Sequence, residues 1–179
     1  MIKKNLYIFL ILLPVMIFSN CTKKLLEEYN HNSWTTTAIK NGEPWEGFFA
    51  PILDKKKGDS IVIQIGRYDE YNELKEIFVI DHFKIDTSQH LSSKSNDPIT
   101  KLTTDYFTMA CTDVLGDKYI FSETDTSYFQ VSLDKRRMKV FGTYHLVFVR
   151  DSSDSNFTLP GPDTIKFENG VFNAFLDER

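Results

Sequence analysis

The stretch Ser127-Tyr128-Phe129-Gln130-Val131-Ser132-Leu133-Asp134 is followed by the charged run Lys135-Arg136-Arg137, and then by Lys139-Val140-Phe141-Gly142-Thr143-Tyr144-His145-Leu146-Val147-Phe148-Val149-Arg150. In the first run Phe129, Val131 and Leu133 take every second position, the period of a half-buried strand. The basic run then marks an exposed turn, and the chain returns as a long strand. That strand has two apolar sides, Val140, Tyr144, Leu146 and Phe148 on one and Phe141, Val147 and Val149 on the other. Such a strand is expected to be covered on both faces at least part way. An antiparallel hairpin of this kind predicts an all-β chain.

The same grammar extends upstream. Trp34 to Lys40 is rich in β-formers, Asn41-Gly42 suits the type I′ turn of a two-residue hairpin, and Trp45 to Leu53 resumes with Phe48, Phe49 and Ile52. After the charged turn Asp54 to Asp59, Ile61, Ile63 and Ile65 share one face of a central strand. Between Glu73 and Ile85 a helical stripe (Leu74, Ile77, Phe78) competes with period two (Ile77, Val79, Phe83, Ile85). The β-branched cluster around Ile77 to Ile80 favours a strand. Ser92 to Pro98 reads as a polar loop, Tyr106 to Cys111 as a strand, Gly116-Asp117 as a turn and Lys118 to Ser122 as the next strand. Downstream, Asp151 to Pro162 is a long surface loop. Thr164 to Glu168 and Val171 to Leu176, around a second Asn-Gly at Asn169-Gly170, predict a terminal hairpin. About nine short strands without a long amphipathic helix predict an antiparallel β-sandwich, with a partly closed β-barrel as the alternative. No repeat of fixed length points to a propeller or solenoid.

The 179 residues carry 21 Lys and Arg against 25 Asp and Glu, a formal charge of −4, with 41% apolar residues. This is a globular composition, and it lacks the basic excess that nucleic-acid phosphates select. At the N-terminus Lys3 and Lys4 precede an apolar run of 13 residues, Leu6 to Phe18, which ends in Ser19-Asn20-Cys21. That run falls short of the roughly 20 residues a membrane-spanning helix needs, and Pro14 interrupts it, so it reads as a signal peptide. Residues 1–20 are therefore assigned to the signal, 21–33 to a polar tether and 34–179 to one all-β domain. The mature chain of 159 residues would carry 19 basic and 25 acidic residues, a charge of −6. An acidic domain gains no attraction from an anionic membrane surface, so only a tether could hold it there.

Cys21 after Phe18-Ser19-Asn20 resembles the lipobox of bacterial lipoproteins, in which the cysteine is acylated and the chain is cut before it. Together with Ile39 to Trp45, the strand Val140-Phe141-Gly142-Thr143-Tyr144 and the closing Ile165 to Phe172, it resembles a group of small Bacteroidota lipoproteins of unknown function. The shared features are an Asn-Gly-x-x-Trp opening, a Gly-Thr-aromatic strand and an Asn-Gly-x-Phe ending, spread over nearly the whole mature chain. The resemblance implies a palmitate-bearing all-β lipoprotein of the cell envelope, in the outer membrane, and brings no catalytic residues. Several acyl chains would hold far more firmly than the marginal single one, at about 0.8 kcal/mol per buried methylene.

Motifs with a strong mechanical meaning are missing from the sequence: Gly-x-Ser-x-Gly, His-Glu-x-x-His, Cys-x-x-Cys and a phosphate-cradling Gly-Lys-Ser loop. Cys111 is expected to be buried and inert, since its neighbours are apolar. A transition-metal site would need His82, His90 or His145 to converge, and edge or surface positions suit their polar neighbourhoods better. Asp151, Asp154 and Asn156, or Asp113 and Asp117, offer oxygen ligands without the spacing of a calcium loop. No metal and no cofactor is expected. Trp34, Trp45, Phe48, Phe49, Tyr68 and Tyr71 crowd the first part of the domain. Most are expected in the core, with Trp45 packed over its own hairpin. Tyr68-Asp69-Glu70-Tyr71, in a loop, is the candidate binding surface through Tyr68 and Tyr71. Two functions follow as expectations. The first is a lipid-anchored, non-catalytic binding or assembly module for an envelope protein or a glycan. The alternative is an envelope hydrolase or metal-dependent enzyme assembled from distant His and Asp residues such as His82 and His145.

Overall fold

The computed structural model describes residues 34–57, 60–84, 88–111, 114–153 and 161–178, with backbone alone at Trp34, Lys57, His82, Phe83, Cys111, Asp177 and Glu178. The chain forms β1 (Trp34–Lys40), β2 (Glu43–Asp54), β3 (Ser60–Tyr68), β4 (Leu74–Phe83), β5 (Ser88–Ser92), β6 (Tyr106–Cys111), β7 (Val114–Phe121), β8 (Tyr128–Asp134), β9 (Lys139–Arg150), β10 (Thr164–Phe175) and the short β11 (Asp177–Glu178). A single 3₁₀ turn, Lys55–Lys57, follows β2.

The all-β expectation holds, but the architecture is a closed barrel and not a sandwich. Eight strands follow each other in the order β10-β1-β2-β3-β4-β6-β7-β9, all antiparallel, and β9 pairs with β10 to close the ring. The closing strand is the long one singled out by the sequence. One edge of β9 runs along β10 from Lys139 to Val149, and its other edge pairs first with β8 and then, from Phe148 to Arg150, with β7. Twelve residues give it room for three neighbours, so β8 and β5 extend the sheet as a flap beside the ring. Closure removes the edges of the ring itself and leaves the flap strand β5 as the end of the sheet. The two apolar sides of β9 are covered part way: Val147 on the outer side is buried, while Phe141 is 44% exposed.

The barrel interior is filled with rings. Phe172 of β10 stacks between Phe49 of β2 and Phe129 of β8, with centroids 4.2 and 4.7 Å away, and Phe129 stacks in turn on Tyr144. Phe78, Tyr106, Phe148 and Phe167 form a second group toward one end. Each buried ring contributes roughly 1.5–3 kcal/mol by leaving water.

The first hairpin is as expected: Asn41 (φ 50°) and Gly42 (φ 87°) both take the left-handed conformation of a type I′ turn, and Lys40 pairs with Glu43. The expected terminal hairpin does not form. β10 runs unbroken, with a register shift between Phe167 and Gly170, and only Asn169 (φ 53°) is left-handed. The second Asn-Gly thus makes a bulge within one strand. Gly170 lies against the ring of Tyr144, where any Cβ would sit 2.4 Å from a ring carbon. Gly116-Asp117 likewise lies inside β7, and β5 falls in a segment where no strand is predicted from sequence.

In β4 the strand reading is correct, and Glu76, Phe78 and Ile80 form the buried side. The period-two set Ile77 and Val79 is only partly buried. Both sides of this strand are apolar in sequence, so its phase is fixed by its neighbours.

Candidate functional site

Antiparallel succession sorts the connections into two ends. At one end, here called the mouth, lie the β1–β2 turn, the β3–β4 turn, the end of β6, the start of β7, the end of β9 and the start of β10. Trp34, where the described chain begins, lies at the opposite end of β1.

Just inside the mouth, Glu76 occupies the inward position that precedes Phe78, and it is 2% exposed. Its Oε2 accepts hydrogen bonds from Lys40 Nζ and Tyr106 Oη. Its Oε1 accepts from Trp45 Nε1 at 2.6 Å and faces Arg67 Nε at 3.0 Å. Lys40 Nζ also donates to Tyr106 Oη at 2.9 Å and lies over the rings of Tyr106 and Phe167. Burial alone would raise the Glu76 carboxyl. The Lys40 charge and the bonds from Lys40, Tyr106 and Trp45 outweigh it and hold the group below the usual carboxylate range. The Tyr106 phenol is pushed far up, by burial first and then by the Glu76 charge, and stays protonated as a donor. A buried charge is tolerated in this way because its lone pairs are filled.

Lys40 also lines a groove of about 480 Å³ between β6, β7 and the start of β10. Its other walls include Met109, Ala110, Pro162 and Ile165, and its polar residues include Asp117 and Tyr119. Asp117 is 6% exposed and Tyr119 fully buried. Asp117 Oδ2 accepts the Gly161 N–H at 2.8 Å. Its Oδ1 and the Tyr119 hydroxyl are buried with no hydrogen-bond partner among the described residues. Arg150 stands beside them and acts on both Tyr119 and Asp117, and its own Nε is likewise buried with no hydrogen-bond partner among the described residues. Burial raises the Tyr119 phenol, which is therefore neutral.

The sequence-predicted residues fall as follows. Tyr68 and Tyr71 stand at the β3–β4 turn, hence at the mouth end. Tyr68 stacks on Phe48 with centroids 5.1 Å apart, whereas Tyr71 is 77% exposed. The turn is built on Asp69, whose Oδ1 accepts the N–H groups of Tyr71 and Glu73, and whose Oδ2 pairs with Lys75. Those bonds, the backbone bond from Glu73 foremost, lower the Asp69 carboxyl. Trp45 and Phe49 are core residues as expected, and the Trp45 ring covers Gly47 of its own strand. His90 and His145 do not enter a pocket together: each stacks on Tyr128, at 5.6 and 5.8 Å, across β5, β8 and β9. Among the described residues no three His, Cys, Asp or Glu side chains are grouped to hold a metal ion. The side chains of His82 and Cys111, and Cys21, Asp113, Asp154 and Asn156 entirely, lie outside the described residues.

Sequence reasoning missed the Glu76 cluster and the groove. The available signal was an acidic residue in alternation with Phe78 and Ile80. Its partners Lys40, Trp45 and Tyr106 are 30 to 36 residues away in sequence. No family profile, curated protein or solved structure matches the chain.

Proposed function

We propose that this chain is a lipid-anchored protein of the bacterial cell envelope, held at the outer membrane through Cys21, and that it works as a non-catalytic binding module whose ligand site is the mouth groove. The observation that carries the binding site is the groove of about 480 Å³ at the mouth, walled by Met109, Ala110, Pro162 and Ile165 and edged by the Lys40 ammonium. The volume is within the range of small-molecule sites.

The Glu76 cluster supports binding over catalysis. A carboxylate that already accepts from Lys40, Tyr106 and Trp45 has little capacity to take a proton, and its lowered pKa unsuits it as a general acid near neutrality. Its part is to fix Lys40 at the groove wall. The first described residue, Trp34, lies at the end of β1 opposite the mouth, so the groove is clear of the point where the barrel begins.

The test is a pull-down from detergent-solubilised envelope with three baits: the native chain, Cys21→Ala, and Ala110→Trp, which puts a bulky ring into the groove from an exposed position. We expect Cys21→Ala to leave the membrane fraction and Ala110→Trp to stay in it but lose the co-purifying envelope protein or glycan. Retention of Cys21→Ala in the membrane would refute the anchor, and unchanged capture by Ala110→Trp would refute the groove.

A further inference from the structure

We infer that the outward face of the β8–β9 hairpin and the adjoining end of β10 rests on an anionic membrane surface, through Lys135, Arg136, Arg137 and Lys139 and the exposed rings of Phe141 and Phe175. This rests on the lipid-anchored reading for the surface that the face meets. The mature chain is acidic overall, and by net charge alone it gains nothing from such a surface, but its charge is unevenly spread. Along the outward positions of β5, of β8, of β9 from Lys139 to His145 and of β10 from Val171, Asp134 is the only acid among the described residues. Its Oδ1 accepts the N–H groups of Arg136 and Arg137, and it stands opposite Lys139. Acids resume at the borders of the face. Asp177 and Glu178 leave Phe175 along β2, Asp125 acts on His145 from before the start of β8, and Glu46 and Glu168 lie toward the mouth. Asp86, before β5, lies outside the described residues.

The apolar part of the face is continuous with the basic part. Phe141 is 44%, Phe175 46% and Val171 52% exposed, and β9 pairs Phe141 with Asn173, which Val171 and Phe175 flank on β10. Single exposed apolar side chains are ordinary, whereas a group of them beside a basic turn marks an interaction surface. Lys139 Nζ lies over the Phe175 ring, 5.9 Å from its centroid, so cation and ring are presented together. The headgroup region of a bilayer accepts both, phosphates pairing with the cations while the rings enter the acyl boundary. Position favours a membrane over an acidic protein. β1 begins at Trp34 beside the end of β10, since Thr36 pairs with Phe172. The chain that carries Cys21 therefore joins the barrel next to this face. An acyl group on Cys21 would bring a bilayer to this end of the fold and leave the mouth groove at the other.

The experiment is flotation of the full mature chain carrying Cys21→Ala, so that no acyl group contributes, with phosphatidylcholine vesicles and with vesicles that also contain phosphatidylglycerol. The chain is expected to float with the mixed vesicles, less so as salt is raised, and not with phosphatidylcholine alone. One basic residue at an anionic surface is worth about fivefold, so Arg136→Gln should weaken binding about fivefold and the triple change Lys135→Gln, Arg136→Gln, Arg137→Gln about a hundredfold. All three side chains are exposed, so the melting transition should not move. Phe141→Ser should weaken binding about tenfold. Lys56→Gln, at an exposed lysine in the turn after β2, should change nothing. Absence of binding to the mixed vesicles, equal binding to both kinds, or an equal loss from Lys56→Gln and Arg136→Gln would overturn the proposal. Unchanged flotation of Arg136→Gln, with loss of the co-purifying protein in the envelope pull-down, would make the face a protein interface and overturn the membrane assignment. The anchor is judged separately, by whether a high-salt wash, which breaks the surface contact, frees Cys21→Ala from the envelope fraction. Failure of the vesicle experiment therefore leaves the anchor and the mouth groove standing.

Discussion

Four donors meet one carboxylate at Glu76, so its replacement by Gln would leave the Lys40 ammonium beside a neutral group just inside the barrel. Breaking a buried pair by removing one partner costs about 3–5 kcal/mol, and we expect Glu76→Gln to fall toward the lower figure because Lys40 keeps partial access to water. Urea unfolding at neutral pH measures it. The pH dependence follows from the direction of the shift. The carboxyl titrates below its ordinary value of 4.5 in the folded chain and near that value in the unfolded one. Its stabilisation is therefore complete above that value and lost as pH falls toward and through the folded pKa. The urea midpoint of the native chain should drop more steeply than that of Glu76→Gln on acidification from pH 5 to pH 3, a window set by the carboxylate reference value. Parallel curves would contradict the assignment. At this scale the sequence showed only an acid among apolar neighbours. That Lys40, Trp45 and Tyr106 converge on it is decided by strands that lie far apart in the chain.

At the scale of single elements, two identical dipeptides behave differently. Asn41-Gly42 is an exposed turn where an added Cβ on Gly42 meets nothing within 4 Å, so Gly42→Ala costs only the left-handed backbone, about 1–2 kcal/mol. Gly42→Asn should recover much of that loss, because asparagine tolerates the conformation. Gly170 is buried against Tyr144, and Gly170→Ala should cost about 1–3 kcal/mol through overpacking. Gly170→Asn should be worse than Gly170→Ala, the opposite order from position 42. Thermal melts of the four variants provide the check. The local signal is the same at both sites, which is why the sequence predicts two hairpins. β10 stays in one piece because β9 pairs with it on both sides of Asn169-Gly170. A bulge absorbs the left-handed residue at less disruption than reversing the chain.

At the scale of the whole molecule, the ring column through Phe49, Phe172 and Phe129 joins β2, β10 and the flap strand β8 across the interior. Phe172→Ala should cost about 3–5 kcal/mol, at the upper end of core truncations if the neighbouring rings fail to collapse into the space. Denaturant unfolding would show it, and a loss under 1 kcal/mol would mean that the column is not central to the barrel. Local patterning is enough to establish that this chain is all-β, where most strands begin and end, the first turn, and the assignment of Trp45 and Phe49 to the core. All of these depend on contacts within a few residues: alternation, turn chemistry and β-branching. It did not determine the sandwich-or-barrel outcome, the buried phase of β4, the bulge in β10 or the mouth groove. Alternation tells a strand that it has two sides, but not which strand lies beside it. Only the pairing of β9 with β10 closes the ring, and only a closed ring brings Lys40, Glu76, Asp117 and Tyr119 to one end of the fold.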